Sequence, residues 1–193
     1  MPYEARFESI GAVLPAHRVT ASCRAIGAAR DCLSRSRYTG ADLDCVIDVA
    51  REAVEPPVSL AVKRAIGAAD ATCFDMANVC AAVFVLDDLI RRGAIRRGMV
   101  VSNDAAAIVD RASSPGIVVA GFTTPELLEQ YLDEVDWLIP QQPDLLLALH
   151  HHLAEHELGR GDKVLMLSVA SRHEIGVVML VIDELEATHG CVH

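Results

Sequence analysis

Apolar and polar positions along this chain switch repeatedly between a two-residue and a three-to-four-residue rhythm. Phe7 to Leu14 reads as a strand stopped by Pro15. Residues 20–37 read as a helix, with Ile26, Ala29, Leu33 and neighbouring alanines on one face and Arg24, Arg30, Arg35 and Arg37 elsewhere. Thr39-Gly40 marks a turn, and Leu43 to Ala50 the next strand, with Cys45, Val46, Ile47 and Val49 as its buried positions. Glu55-Pro56-Pro57 breaks the pattern, because proline donates no backbone hydrogen bond. Ser59 to Ala68 follows as a helix with Leu60, Ala61, Ala65 and Ile66 inward. From Phe74 to Gly93 the pattern predicts a short buried strand, a sharp bend at Cys80 and a helix. Residues 81–86 carry no charge, which predicts burial on nearly every side. Asp87, Asp88, Arg91 and Arg92 mark where that helix would surface, and Gly93 where it would stop.

Gly98 to Asn103 and Ala105 to Val109 are further strands, and Ser113-Ser114-Pro115-Gly116 is the best linker in the chain. A second, similar series follows. Ile117 to Phe122 is a strand, and Thr124 caps a helix with Pro125 at its first position. Trp137 to Pro140 is a strand, and Pro143 opens a helix ended by Gly159. Residues 163–170 and 176–183 are strands expected to pair. Alternating strands and helices predict an α/β fold with mainly parallel sheets covered by helices. The linker at 113–116 divides an N-terminal half, 1–112, from a C-terminal half, 116–193.

Hydrophobic residues make up 52% of the 193 positions, enough for a substantial core, and aromatics only 4%, so Ala, Val, Leu and Ile must fill it. A formal charge of −10 argues against nucleic acid and against charge-driven docking on an anionic membrane. No uninterrupted apolar run approaches the roughly 20 residues of a membrane span. The six cysteines, at positions 23, 32, 45, 73, 80 and 191, form no Cys-x-x-Cys pair. A reducing cytoplasm is the expected location.

Cys80 is the focus of the chemistry. At the positive end of a buried helix a thiol is expected to ionise more easily, as a nucleophile must. The plainer reading is a small apolar core residue. The segment Phe74-Asp75-Met76-Ala77-Asn78-Val79-Cys80-Ala81, with its apolar helix ending Ile90-Arg91-Arg92-Gly93, resembles the nucleophile segment of the thiolase superfamily. The likeness is greatest to 3-oxoacyl-(acyl-carrier-protein) synthase III and, within that branch, to the olefin-biosynthesis thiolases that condense two acyl-CoAs. Ser9 to Pro15 resembles the family's first strand, and Val54 to Leu60 the segment before the nucleophile strand. Asp136-Trp137-Leu138-Ile139-Pro140-Gln141-Gln142 resembles its Asp-Trp-x-x-Pro-His-Gln motif, and Gly161 to Leu180 its closing strand pair.

The resemblance implies a thiolase-like fold of two pseudo-equivalent halves and a homodimer. It implies an acyltransferase that condenses acyl thioesters, on coenzyme A or a carrier protein, to a β-ketoacyl product with no separate cofactor. Cys80 would carry the acyl group, and Glu55 of a partner copy would remove the proton that makes the second acyl group a carbon nucleophile. From its residues alone, Glu55 also reads as a solvated loop carboxylate. Gln141 stands where the family has histidine; it can donate to an oxyanion but cannot carry a proton. The family's asparagine is missing, since Asn78 and Asn103 are the only asparagines and neither lies in the corresponding segment. Side chains from Ser168 to Glu174 replace a glycine-rich loop. The chain is abridged relative to the family, so a non-catalytic scaffold or dimer subunit, or a slow acyl-thioester hydrolase, remain alternatives.

Two weaker signals remain. His152 and His156 stand one helical turn apart beside His150 and His151, a two-point metal grip or imidazoles on a wet helix face; no metal is expected. Arg91, Arg92, Arg96 and Arg97 could meet phosphates, or complement a helix C-terminus.

Overall fold

A computed structural model describes residues 4–14, 19–49, 57–112, 116–169 and 174–182. The first half runs β1 (Glu4–Ala12), α1 (Ala21–Ser34), β2 (Cys45–Asp48), α2 (Val58–Ala65), β3 (Thr72–Asp75), α3 (Val79–Arg91), β4 (Arg97–Val101) and β5 (Ala105–Ala112). The second half runs β6 (Ile117–Thr123), α4 (Pro125–Leu132), β7 (Trp137–Ile139), α5 (Leu145–Glu155), β8 (Lys163–Val169) and β9 (Ile175–Val181). The predicted boundary falls between β5 and β6, though only Gly116 of the linker lies within the described residues.

The first half forms a five-stranded sheet, β1-β5-β4-β2-β3, and the second a four-stranded sheet, β6-β9-β8-β7. In each sheet one strand is reversed: β5 is antiparallel to both its neighbours, as is β9 to its own, while β2 pairs in parallel with β3 and β4, and β7 with β8. The orders superimpose with β6 in the place of β1, β9 of β5, β8 of β4 and β7 of β2.

Three apolar clusters define the layering. Ala25, Ala29, Cys32, Val58 and Val62 of α1 and α2 pack on Val46, Met99 and Ile108 of the first sheet's outer face. Val83, Leu86 and Ile90 of α3 and Leu145, Leu146 and Leu149 of α5 join Ile47 and Val100 of the first sheet to Val164, Met166 and Val178 of the second. Leu165, Val177 and Met179 lie under Leu128 and Tyr131 of α4. Five layers result, with α3 and α5 as the filling between the sheets.

Several local expectations are corrected. β3 is not a buried strand; it has β2 on one side only, and Phe74 is 43% exposed. α3 buries Ala82, Val83 and Leu86 completely, but Phe84 reaches the surface and packs edge-on against Phe122 of β6, ring centroids 6.0 Å apart. Asp87 does not surface: it is buried in a pair with Arg91, whose Nε lies 2.8 and 2.9 Å from the two carboxylate oxygens. Arg91 Nη2 also donates to the Ile117 carbonyl at 3.0 Å, so this pair fastens the two halves. Asp144 rather than Pro143 caps α5, and that helix ends at Glu155, before Gly159. Gly93 ends α3 as expected, at φ 72°, a conformation costly for other residues.

Candidate active site

Both helices of the middle layer begin at one crevice. Asn78 has extended backbone, and its Oδ1 accepts the Ala81 N–H at 2.8 Å, so it caps α3 two residues before Cys80. Asp144 opens α5 in the same way, accepting the Leu147 N–H at 3.0 Å. Its carboxylate also accepts from Ser102 Oγ at 2.9 and 2.7 Å and from the Asp104 N–H at 3.2 Å. Between the two starts lies a cavity of about 30 Å³, lined among others by Asn78, Val79, Ser102, Gln141, Asp144 and Ser168. That is about one water molecule in size.

Cys80, the second residue of α3, follows Asn78 and Val79 of the cavity wall but does not itself line the cavity. Its thiol donates to the Met166 carbonyl of β8 at 3.9 Å. Ser168 stands beside it on β8 and pairs with Gly176 of β9. A Cβ at Gly176 would lie 2.9 Å from Cys80 Cβ and 2.7 Å from Ser168 Oγ, so only glycine fits there. This contact replaces the open surface that a reactive thiol needs: Cys80 is 0% exposed. The expectation of an easily ionised thiol is therefore overturned for the molecule at rest. Burial pushes it up to about 11, and the hydroxyl and backbone N–H of Ser168 pull it back only in part. A helix start favours an anion by about 0.3–1 kcal/mol, less than the cost of stripping water from a thiolate.

Gln141, just past β7, reaches the same crevice. Its Oε1 accepts the Val169 N–H, a side-chain rung beyond the end of the β7–β8 ladder. Glu55 lies outside the described residues. Two participants escaped sequence reasoning. Asn78 carried a signal, a capping residue immediately before an apolar run. Ser168 was expected only to crowd the site; nothing local to it foretells its bonds, including one from Oγ to Asn78 Oδ1 at 3.1 Å.

The weaker signals find ordinary structural partners. His152 and His156 stack with ring centroids 4.2 Å apart against Trp137, and His156 Nδ1 donates to the His152 carbonyl at 3.0 Å. Among the described residues no three His, Cys, Asp or Glu side chains are placed to hold a metal ion. Arg92 pairs with Asp88 at 2.8 Å, and Arg97 stacks over Tyr38, 4.0 Å from the ring centre. Among the described residues no helix is long and apolar enough to cross a membrane.

No protein-family model and no curated protein sequence matches the chain. Solved structures do. A priming β-ketosynthase of a polyketide pathway superimposes with a TM-score of 0.79 at 14% identity, covering 94% of this chain and 97% of that one. The 3-oxoacyl-(acyl-carrier-protein) synthase III of Aquifex aeolicus gives 0.77 at 15% identity, covering 92% and 100%. OleA of Xanthomonas campestris, solved with lauric acid and lauroyl-CoA bound, gives 0.72 at 14% identity, covering 88% and 85%. The superpositions thus give this chain the thiolase-like fold seen in the 3-oxoacyl-(acyl-carrier-protein) synthase III and OleA structures.

Proposed function

We propose that this chain is a thiolase-type acyltransferase that accepts an acyl group from a thioester onto Cys80 and passes it to a second acyl thioester, giving a β-ketoacyl product. The observation that carries the reading is the position of Cys80: second residue of the central helix α3, facing the end of β8, in a fold shared with condensing enzymes. Coenzyme A or a carrier protein would deliver the acyl group, with no other cofactor. Gln141 would donate to carbonyl oxygen without moving a proton. Glu55, on a proline-stiffened segment, would serve as the base from a second copy. The half-partnered edge of β3, with Phe74 exposed, supports a homodimer joined along that strand.

The neutral, enclosed thiol favours a second reading, a non-catalytic scaffold that keeps the fold. Incubation with acyl-CoA followed by intact-mass spectrometry separates the two. The transferase reading expects an acyl adduct that is absent from Cys80→Ala, with a β-keto product on longer incubation. An unmodified wild-type chain would leave the scaffold. Free acid without β-keto product would mean hydrolysis instead.

A further inference from the structure

We propose that the His152–His156 pair at the end of α5 is an acid-operated latch: a proton on His152 separates the last turn of α5 from Trp137 and opens the space between that helix and β7. The latch works whether or not Cys80 carries an acyl group.

The end of α5 is a closed turn. The backbone N–H and the Nδ1–H of His156 both donate to the His152 carbonyl, at 3.2 and 3.0 Å, which folds the second ring back over the first. The two rings stack with centroids 4.2 Å apart and planes 27° apart. Both meet the Trp137 indole edge-on, with centroids 5.1 Å away for His152 and 4.8 Å for His156. The indole is held in turn: its Nε1–H donates at 3.3 Å to Asp162 Oδ2, on the turn before β8. The start of β7 and the end of α5 thus meet through ring contacts. Beside them, His151, His152 and His156 line a cavity of about 240 Å³ whose other wall includes Leu138, Ile139 and Pro140.

A neutral imidazole fits this setting and an imidazolium does not. His152 Nε2 is buried and has no hydrogen-bond partner among the described residues. A neutral ring can leave that nitrogen bare, whereas a charged ring carries N–H on both nitrogens. A charged donor enclosed without an acceptor costs more than the end of a helix returns. Burial first, and then the neighbouring His156, hold His152 below the ordinary histidine value, while Glu155 on the same helix acts the other way. Charges on the adjoining segments are engaged elsewhere. Asp162 accepts the Gly159 N–H at 2.8 Å as well as the indole, Asp136 before β7 accepts the Lys163 N–H at 2.9 Å, and Lys163 Nζ lies 3.6 Å from Glu134. His150 is also held low, by burial first and then by Arg35 and His151. Because the folded value of His152 lies below the unfolded one, the closed turn is favoured above about pH 6.5 and loses that margin as pH falls.

Trp137 is the only tryptophan in the chain, so its emission reads the contact directly. From about pH 8 to about pH 5 the emission maximum of the wild-type chain is expected to move to the red while far-UV circular dichroism stays constant. His152→Gln is expected to abolish the shift, which also separates His152 from His150. Hydrogen exchange on the wild type gives a readout that no variant can spoil. After correction for intrinsic rates, protection of the His156 and Leu158 amides, bonded to the His152 and His156 carbonyls, should fall by up to about tenfold per pH unit below about 6.5, while the Leu149 amide keeps its protection. Should His152→Gln fail to fold, exchange alone decides. A shift that persists in His152→Gln, a loss of intensity without a red shift, or unchanged protection in acid overturns the latch. So does a simultaneous loss of circular dichroism, which would make the change an acid unfolding of the whole chain.

Discussion

Among the described residues, the outer face of the first sheet is roofed by α1 and α2, and that of the second by α4 alone. Fourteen buried side chains form the first outer cluster and three the second, among the described residues. Among its described residues the second half has no counterpart of α2 and β3: β7 leads directly into the central helix α5, where the first half inserts α2 and β3 between β2 and α3. The middle layer shows no such imbalance, since α3 and α5 both lie in the large cluster between the sheets. The outer layers thus differ between the halves where the central layer does not. The central helices both hold the sheets together and bring Asn78, Cys80 and Asp144 to one place.

The contrast between layers can be broken by mutation. Leu149→Ala, in the fully buried seam of α5, is expected to cost about 2–5 kcal/mol in urea unfolding. Leu127→Ala on α4, where the side chain is 48% exposed, should stay within about 0.5 kcal/mol. Equal losses would mean that the outer layer carries as much of the fold as the middle one.

The described buried thiols sharpen the contrast, because all of them lie in the first half. Burial pushes Cys32 and Cys45 up to about 12 and Cys80 to about 11. A group whose pKa is raised by folding stabilises fully below its unfolded value and loses that contribution as pH rises through the folded value. The contribution of these thiols should therefore be flat below pH 9 and fall towards pH 11–12, and the rise of the Cys80 thiol from 9.0 to about 11 alone accounts for about 2–3 kcal/mol. Melting curves at stepped alkaline pH would measure this, and Cys80→Ala should make the decline shallower. An unchanged slope in that variant would show that the sulfur is more hydrated than its surroundings indicate.

Glycines of the second half give the next comparison. Gly176→Ala would force a methyl group against Cys80 and Ser168 and should cost about 1–3 kcal/mol, whereas Gly121→Ala meets nothing within 4 Å and should be nearly silent. A small effect is expected at the start of α5: Asp144→Asn keeps a cap while removing the charge that meets Ser102, and should cost less than the ~1 kcal/mol of losing a cap altogether.

Much of the architecture was legible because it is written locally. Alternation gave the strands, Thr124-Pro125 marked the start of α4, and Gly93 the end of α3. The start of α3 near Cys80 followed from the change of rhythm. What stayed hidden depends on partners distant in sequence. Nothing around residue 80 announces that Met166, Ser168 and Gly176 will close over the sulfur, and so reverse its expected ionisation. Charge at Asp87 looked like a surface mark because its burial depends on Arg91 reaching the carbonyl of Ile117. β3 looked like a core strand because an apolar run cannot tell whether a neighbour will flank it on one side or two.

The absence of a side chain at Gly176 has a consequence for access to the sulfur. On that side the main chain of β9 packs directly against Cys80 and Ser168, so a group bonded to the thiol would find room there only if β9 drew back from α3.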